Sequence, residues 1–209
     1  MSTVVSPPET PVFLIGISWE TYEAILHDHR DRSVPRFAYD GGVLEIVSPS
    51  TPHEEDNRTL ASLIEILAEE WSIEFRSVGS MTFNRRDLLK GIEPDSSYYI
   101  GRAAEVRGRR QIELPFDPPP DLAIEVDVSN SSLPKLPILA RMGVPEVWRL
   151  TDDRVAILAL EAGAYRDARQ SLSLPPLTGA LLTTFLAESR AHQRLNWIRS
   201  VREWARSAR

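Results

Sequence analysis

The chain has 209 residues, 42% hydrophobic and 26% charged, with a formal net charge of −6. That is the length of about one domain, with enough apolar material for a substantial core. The absence of cysteine excludes disulfides and thiolate metal sites, and four scattered histidines without an HExxH motif argue against zinc, so carboxylates binding Mg²⁺ or Mn²⁺ are the metal chemistry left open.

In chain order, Met1 to Pro11 is polar and has no basic region followed by an apolar run, so it does not read as a signal peptide. No apolar stretch reaches the ~18 residues of a membrane span, and the expected location is the cytoplasm. Ser18 is a candidate cap for a helix to about His29, with Trp19, Tyr22, Ile25 and Leu26 on one face. Arg36–Tyr39 and Val43–Val47 read as a hairpin turned by Asp40-Gly41-Gly42. Ser48 to Pro52 then supplies caps for the clearest helix, in which Leu60, Leu63, Ile64, Leu67 and Trp71 follow helical spacing.

Three short strands are expected next, at Phe75–Val78, Met81–Phe83 and Ser96–Ile100. Gly101 to Pro120 is a long loop rich in Arg and Pro, of a length usually functional or mobile. Leu122–Val128 is a strongly apolar strand with acids at alternate positions. Ser131 or Ser132 would cap a helix that Gly143 ends, with Pro137 awkward inside it. Strands at Val144–Leu150, Val155–Leu160 and around Tyr165 follow, and Gly179 to Ala208 reads as helical with an apolar stripe of Leu195, Ile198, Val201, Trp204 and Ala208. The order of elements implies one α/β domain with a mixed sheet and helices on both sides.

The chemistry concentrates between residues 94 and 148. Period two puts Glu125, Asp127 and Ser129 on one face of their strand, and such acids are costly to bury without a cation or hydrogen bonds. Asp95, after a proline, gains weight from that pair. Lys135 opens the following helix, so a short turn can bring it back over the strand's C-terminal end, where ligands of α/β sheets often sit. Carboxylates binding Mg²⁺, with a lysine that positions a water or stabilises phosphate charge, could hydrolyse a phosphodiester. A solvated edge, or acids paired with nearby arginines, is the plain alternative. The net negative charge argues mildly against DNA, but acids crowd Glu45 to Glu74 while arginines crowd Arg102 to Arg110 and Arg190 to Arg209.

Asp95, Glu125 and Lys135 resemble the PD-(D/E)-x-K motif of restriction-endonuclease-like nucleases. The run from Glu125 through Lys135 and Gly143 to Trp148 is similar to the Uma-two family of that superfamily. So are the stretch from Asp40 through Glu45 to Pro49, His53-Glu54, and the segment Pro175 to Gly179. The likeness implies a mixed β-sheet flanked by helices over residues 18–187, after an extension at 1–17 and before an amphipathic helix at 188–209. It implies Mg²⁺ or Mn²⁺ on Asp95, Glu125 and the Val126 carbonyl, with Glu45, His53 and Glu54 as lesser candidates. It also implies a DNA substrate, and the Arg-rich loop offers Arg107, Arg109 and Arg110 as backbone contacts. The superfamily lysine usually stands two residues after the acid, where this chain has Asp127. Asp127 would then be a further metal ligand or hold Lys135. The C-terminal stripe packs on its own domain or forms a homodimer. Two other functions fit the same fold: a non-catalytic DNA-binding or interaction protein, and a hydrolase of another phosphate ester.

Overall fold

The computed structural model describes residues 10–30, 32–127 and 133–208. The elements in order are β1 (Val12–Ile15), α1 (Trp19–His29), β2 (Arg36–Asp40), β3 (Val43–Val47), α2 (Thr51–Glu70), β4 (Arg76–Ser77), β5 (Phe83–Arg85), β6 (Lys90–Ile92), β7 (Ser96–Tyr99), β8 (Leu122–Val126), α3 (Lys135–Met142), β9 (Glu146–Thr151), β10 (Arg154–Glu161), β11 (Ala164–Asp167), α4 (Gly179–Ala191) and α5 (Arg194–Ser207).

The strands form two sheets rather than one. β1-β3-β2-β6-β5 is antiparallel throughout, and β11-β10-β9-β8-β7-β4 is mixed, with β8 and β9 parallel. The parallel pair needs a crossover, and α3 supplies it. One face of the large sheet, carrying Ile124, Val126, Trp148 and Leu150, packs on α2, α4 and α5. The other face, carrying Ala123, Val147 and Leu158, meets α3 and the small sheet through Ile138, Leu139, Ala38 and Ile92. Helix α1 covers the far side of the small sheet, where Trp19, Tyr22 and Tyr39 pack together.

Local signals explain most boundaries. The Ser18 and Ser50 side chains accept from the amides of Thr21 and His53, starting α1 and α2. Gly143, at φ +82°, ends α3 in the left-handed conformation. Pro137 is the third residue of α3, where an amide would have no intrahelical acceptor anyway, so it is tolerated. The cap expected at Ser131 or Ser132 lies outside the described residues; Pro134 occupies the cap position.

Two strands and one break were not expected. β6 contains Gly91, where a Cβ would lie 2.1 Å from the Tyr22 hydroxyl, so α1 packs tightly against bare backbone. β1 is an edge strand of four residues, and the strand expected at Met81–Phe83 begins only at Phe83. The C-terminal helix divides at His192 and Gln193. Its apolar side serves this chain's own core: Trp197, Val201 and Ala205 are buried against α2 and α4, and Leu195 is left exposed. Packing on its own domain is thus the main contact this stripe makes. Among the described residues no helix is long and apolar enough to cross a membrane.

Candidate active site

β8 delivers the first acid. Glu125 is buried, and neither side-chain oxygen has a hydrogen-bond partner. The nearest charge is the Lys135 ammonium, 3.4 Å from Oε2. Lys135 is the first residue of α3, where a helix dipole disfavours a cation, so it is the acids that hold it there. A second buried acid, Glu45 of β3, lies 4.0 Å from the same ammonium. Residues 80 positions apart in the chain thus meet around Lys135 because the small sheet packs on the face of β8 that carries Glu125.

Asp95 lies between β6 and β7, also buried. Its Oδ2 accepts from the Val126 amide at 2.7 Å. Its Oδ1 accepts from the Arg36 guanidinium and lies 3.0 Å from His53 Nε2. Arg36 also donates to Glu54 and lies 3.3 Å from His53 Nε2. Asn57 completes this side by donating to the Asp95 backbone carbonyl and accepting from the Ser96 hydroxyl. Asp95 is thus fully engaged by protein groups, while Glu125 is not.

Asp127 accepts from Arg149 of β9, with the Thr151 hydroxyl 3.4 Å from the same oxygen. Arg107, Arg109 and Arg110 are not brought to the acids. Their loop leaves β7 and enters β8 at the ends opposite Asp95 and Val126, a β7 length or about 13 Å away. Arg107 pairs with Glu74 at 3.3 Å and Arg109 with Asp117 at 2.8 Å. The loop itself is packed, burying Ala103, Val106 and Ile112 against Tyr99.

Electrostatics separate the two central acids. Burial alone would raise Asp95, but its His53 hydrogen bond and the charges of Lys135, His53 and Arg36 outweigh it and hold the carboxyl at about 2. Burial raises Glu125 to about 7, against the pull of Lys135, with the charges of Asp95 and Asp127 adding to the rise. Burial would lower Lys135, but the charges of Glu125, Asp95 and Glu45 raise it, so it stays protonated. In metal-free protein the native state then holds a proton on Glu125 that the unfolded chain has released. Stability is expected to fall as pH rises from about 4.5 to about 7, by roughly 3 kcal/mol from this group. Glu125→Gln should flatten that part of the curve in chelator-treated melts. Parallel wild-type and variant curves would contradict the assignment.

The donor set can be tested for a metal. A buried carboxyl group whose two oxygens lack hydrogen-bond partners, with a second carboxylate nearby, suits a hard cation. Against this, no group of three His, Cys, Asp or Glu placed to hold a metal occurs among the described residues. Glu125 fits as it stands, with Glu45 near the same ammonium; Asp95 fits only if it gives up Arg36 or the Val126 amide.

Arg36, Asn57 and Arg149 were missed in the sequence. Arg36 opens a strand and reads as solvated; only its burial beside Asp95 gives it away.

No curated protein matches the chain. In fold, it is similar to the crystal structure of a protein described as a "putative nuclease belonging to DUF820" from Anabaena variabilis ATCC 29413. The TM-score is 0.55 and the identity 16%, over 81% of this chain and 99% of that one. That likeness supports a nuclease-type fold and, at such identity, nothing finer. The family model Uma2, described as "Putative restriction endonuclease", matches residues 19–187. Spanning most of the sequence and all of the acids above, that match places the chain in the Uma2 family.

Proposed function

We propose that this chain is a metal-dependent endonuclease that hydrolyses phosphodiester bonds in DNA in the cytoplasm. The observation that carries the reading is the meeting of the buried Glu45 and Glu125 at the largely covered Lys135 ammonium, with buried Asp95 held on the amide of Val126, the residue after Glu125, at the C-terminal end of β8. Glu125, Glu45 and Asp95, with the Val126 carbonyl, would hold Mg²⁺ or Mn²⁺. Such an ion polarises a phosphate and lowers the pKa of its bound water.

The chain's own residues do the rest. Lys135, kept charged by its neighbours, stabilises negative charge that develops on the phosphate. Asp95 ties β7 to the Val126 amide and so fixes the position of Glu125. Arg36 and His53 hold Asp95 ionised and oriented. Arg107, Arg109 and Arg110 would touch a duplex only well away from the cut. Cutting both strands needs two sites or one that repositions; a homodimer would supply two.

A second reading, a nuclease fold that binds nucleic acid or a partner without cutting, rests on the full engagement of Asp95 by Arg36, His53 and the Val126 amide. Thermal melts separate the two. Millimolar Mn²⁺ should stabilise the wild type by roughly 1–3 kcal/mol, and Glu125→Gln should lose most of that gain. Melting points that ignore metal in both proteins would favour the second reading.

A further inference from the structure

Asp127 stands where the wider superfamily usually has its lysine, and the structure gives it a different task. Glu125 and Arg149 are in register across the parallel pair β8–β9. Residues in register share a face. Ile124, Val126, Trp148 and Leu150 occupy the core on the α2 side, while Ala123 and Val147 lie on the other. Arg149 therefore emerges on the side of Glu125 and Lys135.

The Arg149 Nε and Nη2 both donate to Asp127 Oδ2. A guanidinium has five N–H donors in a rigid fork, so an outer edge remains. Nη1 has no protein acceptor among the described residues. Side-chain exposure rises from 1% at Glu125 through 14% at Lys135 to 41% at Arg149. The cations thus run from the buried acids to the surface. An ion pair as exposed as Asp127–Arg149 contributes little to stability, so its value lies elsewhere.

We propose that Arg149 is a phosphate-binding residue of this site and that Asp127 is the positioning residue that aims it. The ligand is the backbone of a nucleic-acid strand entering toward Lys135; this rests on the nuclease reading above. One edge of the guanidinium grips the carboxylate and the other, with no acceptor for Nη1 among the described residues, presents two N–H groups to phosphate oxygens, a geometry lysine cannot copy. The acid in the superfamily lysine's place thereby recruits a cation from the neighbouring strand.

The test is fluorescence anisotropy of a short labelled duplex, in chelator and over a salt series, with wild type, Arg149→Gln, Arg149→Lys and Asp127→Asn. Arg149→Gln should weaken binding roughly three- to tenfold and reduce the slope of log affinity against log salt by about one. Arg149→Lys should restore the slope but not the full affinity. Asp127→Asn makes the protein more positive, so a simple charge effect predicts tighter binding; loss of aim predicts weaker binding with an unchanged slope. An unchanged slope in Arg149→Gln, or tighter binding by Asp127→Asn, overturns the proposal. If no metal supports cleavage but Arg149→Gln still lowers the slope, the phosphate site stands and the nuclease reading falls. If wild type cleaves and Arg149→Gln matches it in slope, only the phosphate site falls.

Discussion

Lys135→Ala is expected to slow cleavage by about two orders of magnitude or more, the scale of losing one electrostatic stabiliser in a water-excluded site. DNA affinity should change little by comparison, because a group that acts on the transition state is not the main anchor of the ground state. The same substitution has a second effect that follows from the geometry. It removes the ammonium 3.4 Å from Glu125 and 4.0 Å from Glu45. Above about pH 7, where Glu125 is ionised, breaking a buried pair this way costs roughly 3–5 kcal/mol. The rate comparison must therefore be made well below the variant's melting temperature. A cation bound by the same carboxylates would offset part of the loss, so Mn²⁺ should raise the melting point of Lys135→Ala more than that of wild type. A variant as active as wild type would remove Lys135 from the chemistry. Equal losses in binding and cleavage would make it an anchor instead.

Asp95→Ala should destabilise the protein by about 3–5 kcal/mol, through what it strands rather than what it removes. It leaves the buried Arg36 guanidinium with Glu54 as its remaining acid and frees the Val126 amide inside the core. Asp95→Asn should cost less, since it can still accept from that amide. The carboxyl's contribution also depends on pH. Its native value of about 2 lies below the ordinary 3.8, so about 2 kcal/mol is present above pH 4 and fades as pH falls toward 2. Chemical denaturation at pH 7 and pH 3 measures both effects. An Asp95→Ala protein within about 0.5 kcal/mol of wild type would mean the Arg36 pairing is incidental. Loss of cleavage in Asp95→Ala is accordingly weak evidence for a metal ligand, and Glu125→Gln is the cleaner probe.

Elements with strong local signals could be read from the sequence directly. The capped helices α1 and α2, the Asp40-Gly41-Gly42 hairpin and the β8–α3–β9 unit all follow from periodicity and turn residues. The division into two sheets could not, because strand partners are set by packing of distant segments. β6 was hidden by Gly91, whose meaning lies in the approach of Tyr22. Glu125 was visible as a costly acid in an apolar strand; Asp95 gained its weight from that acid, and Glu45 from the family resemblance. Their partners were not: Arg36 and Arg149 look like ordinary strand-end arginines until burial and register place them beside Asp95 and Asp127. The Arg107–Arg110 cluster drew attention by charge density, yet density along the chain does not say which end of a strand a loop occupies. The C-terminal stripe was real, and the neighbours that cover it belong to its own chain.

The claim that these carboxylates support hydrolysis is tested most directly by one assay. Supercoiled plasmid is incubated with wild type and with Glu125→Gln, in Mg²⁺, in Mn²⁺ and in chelator. Nicked or linear product from wild type only with metal, with a loss of about a hundredfold or more in Glu125→Gln, is the expected result. Metal-dependent cleavage by a folded Glu125→Gln at the wild-type rate, or none by wild type with either metal, would contradict it.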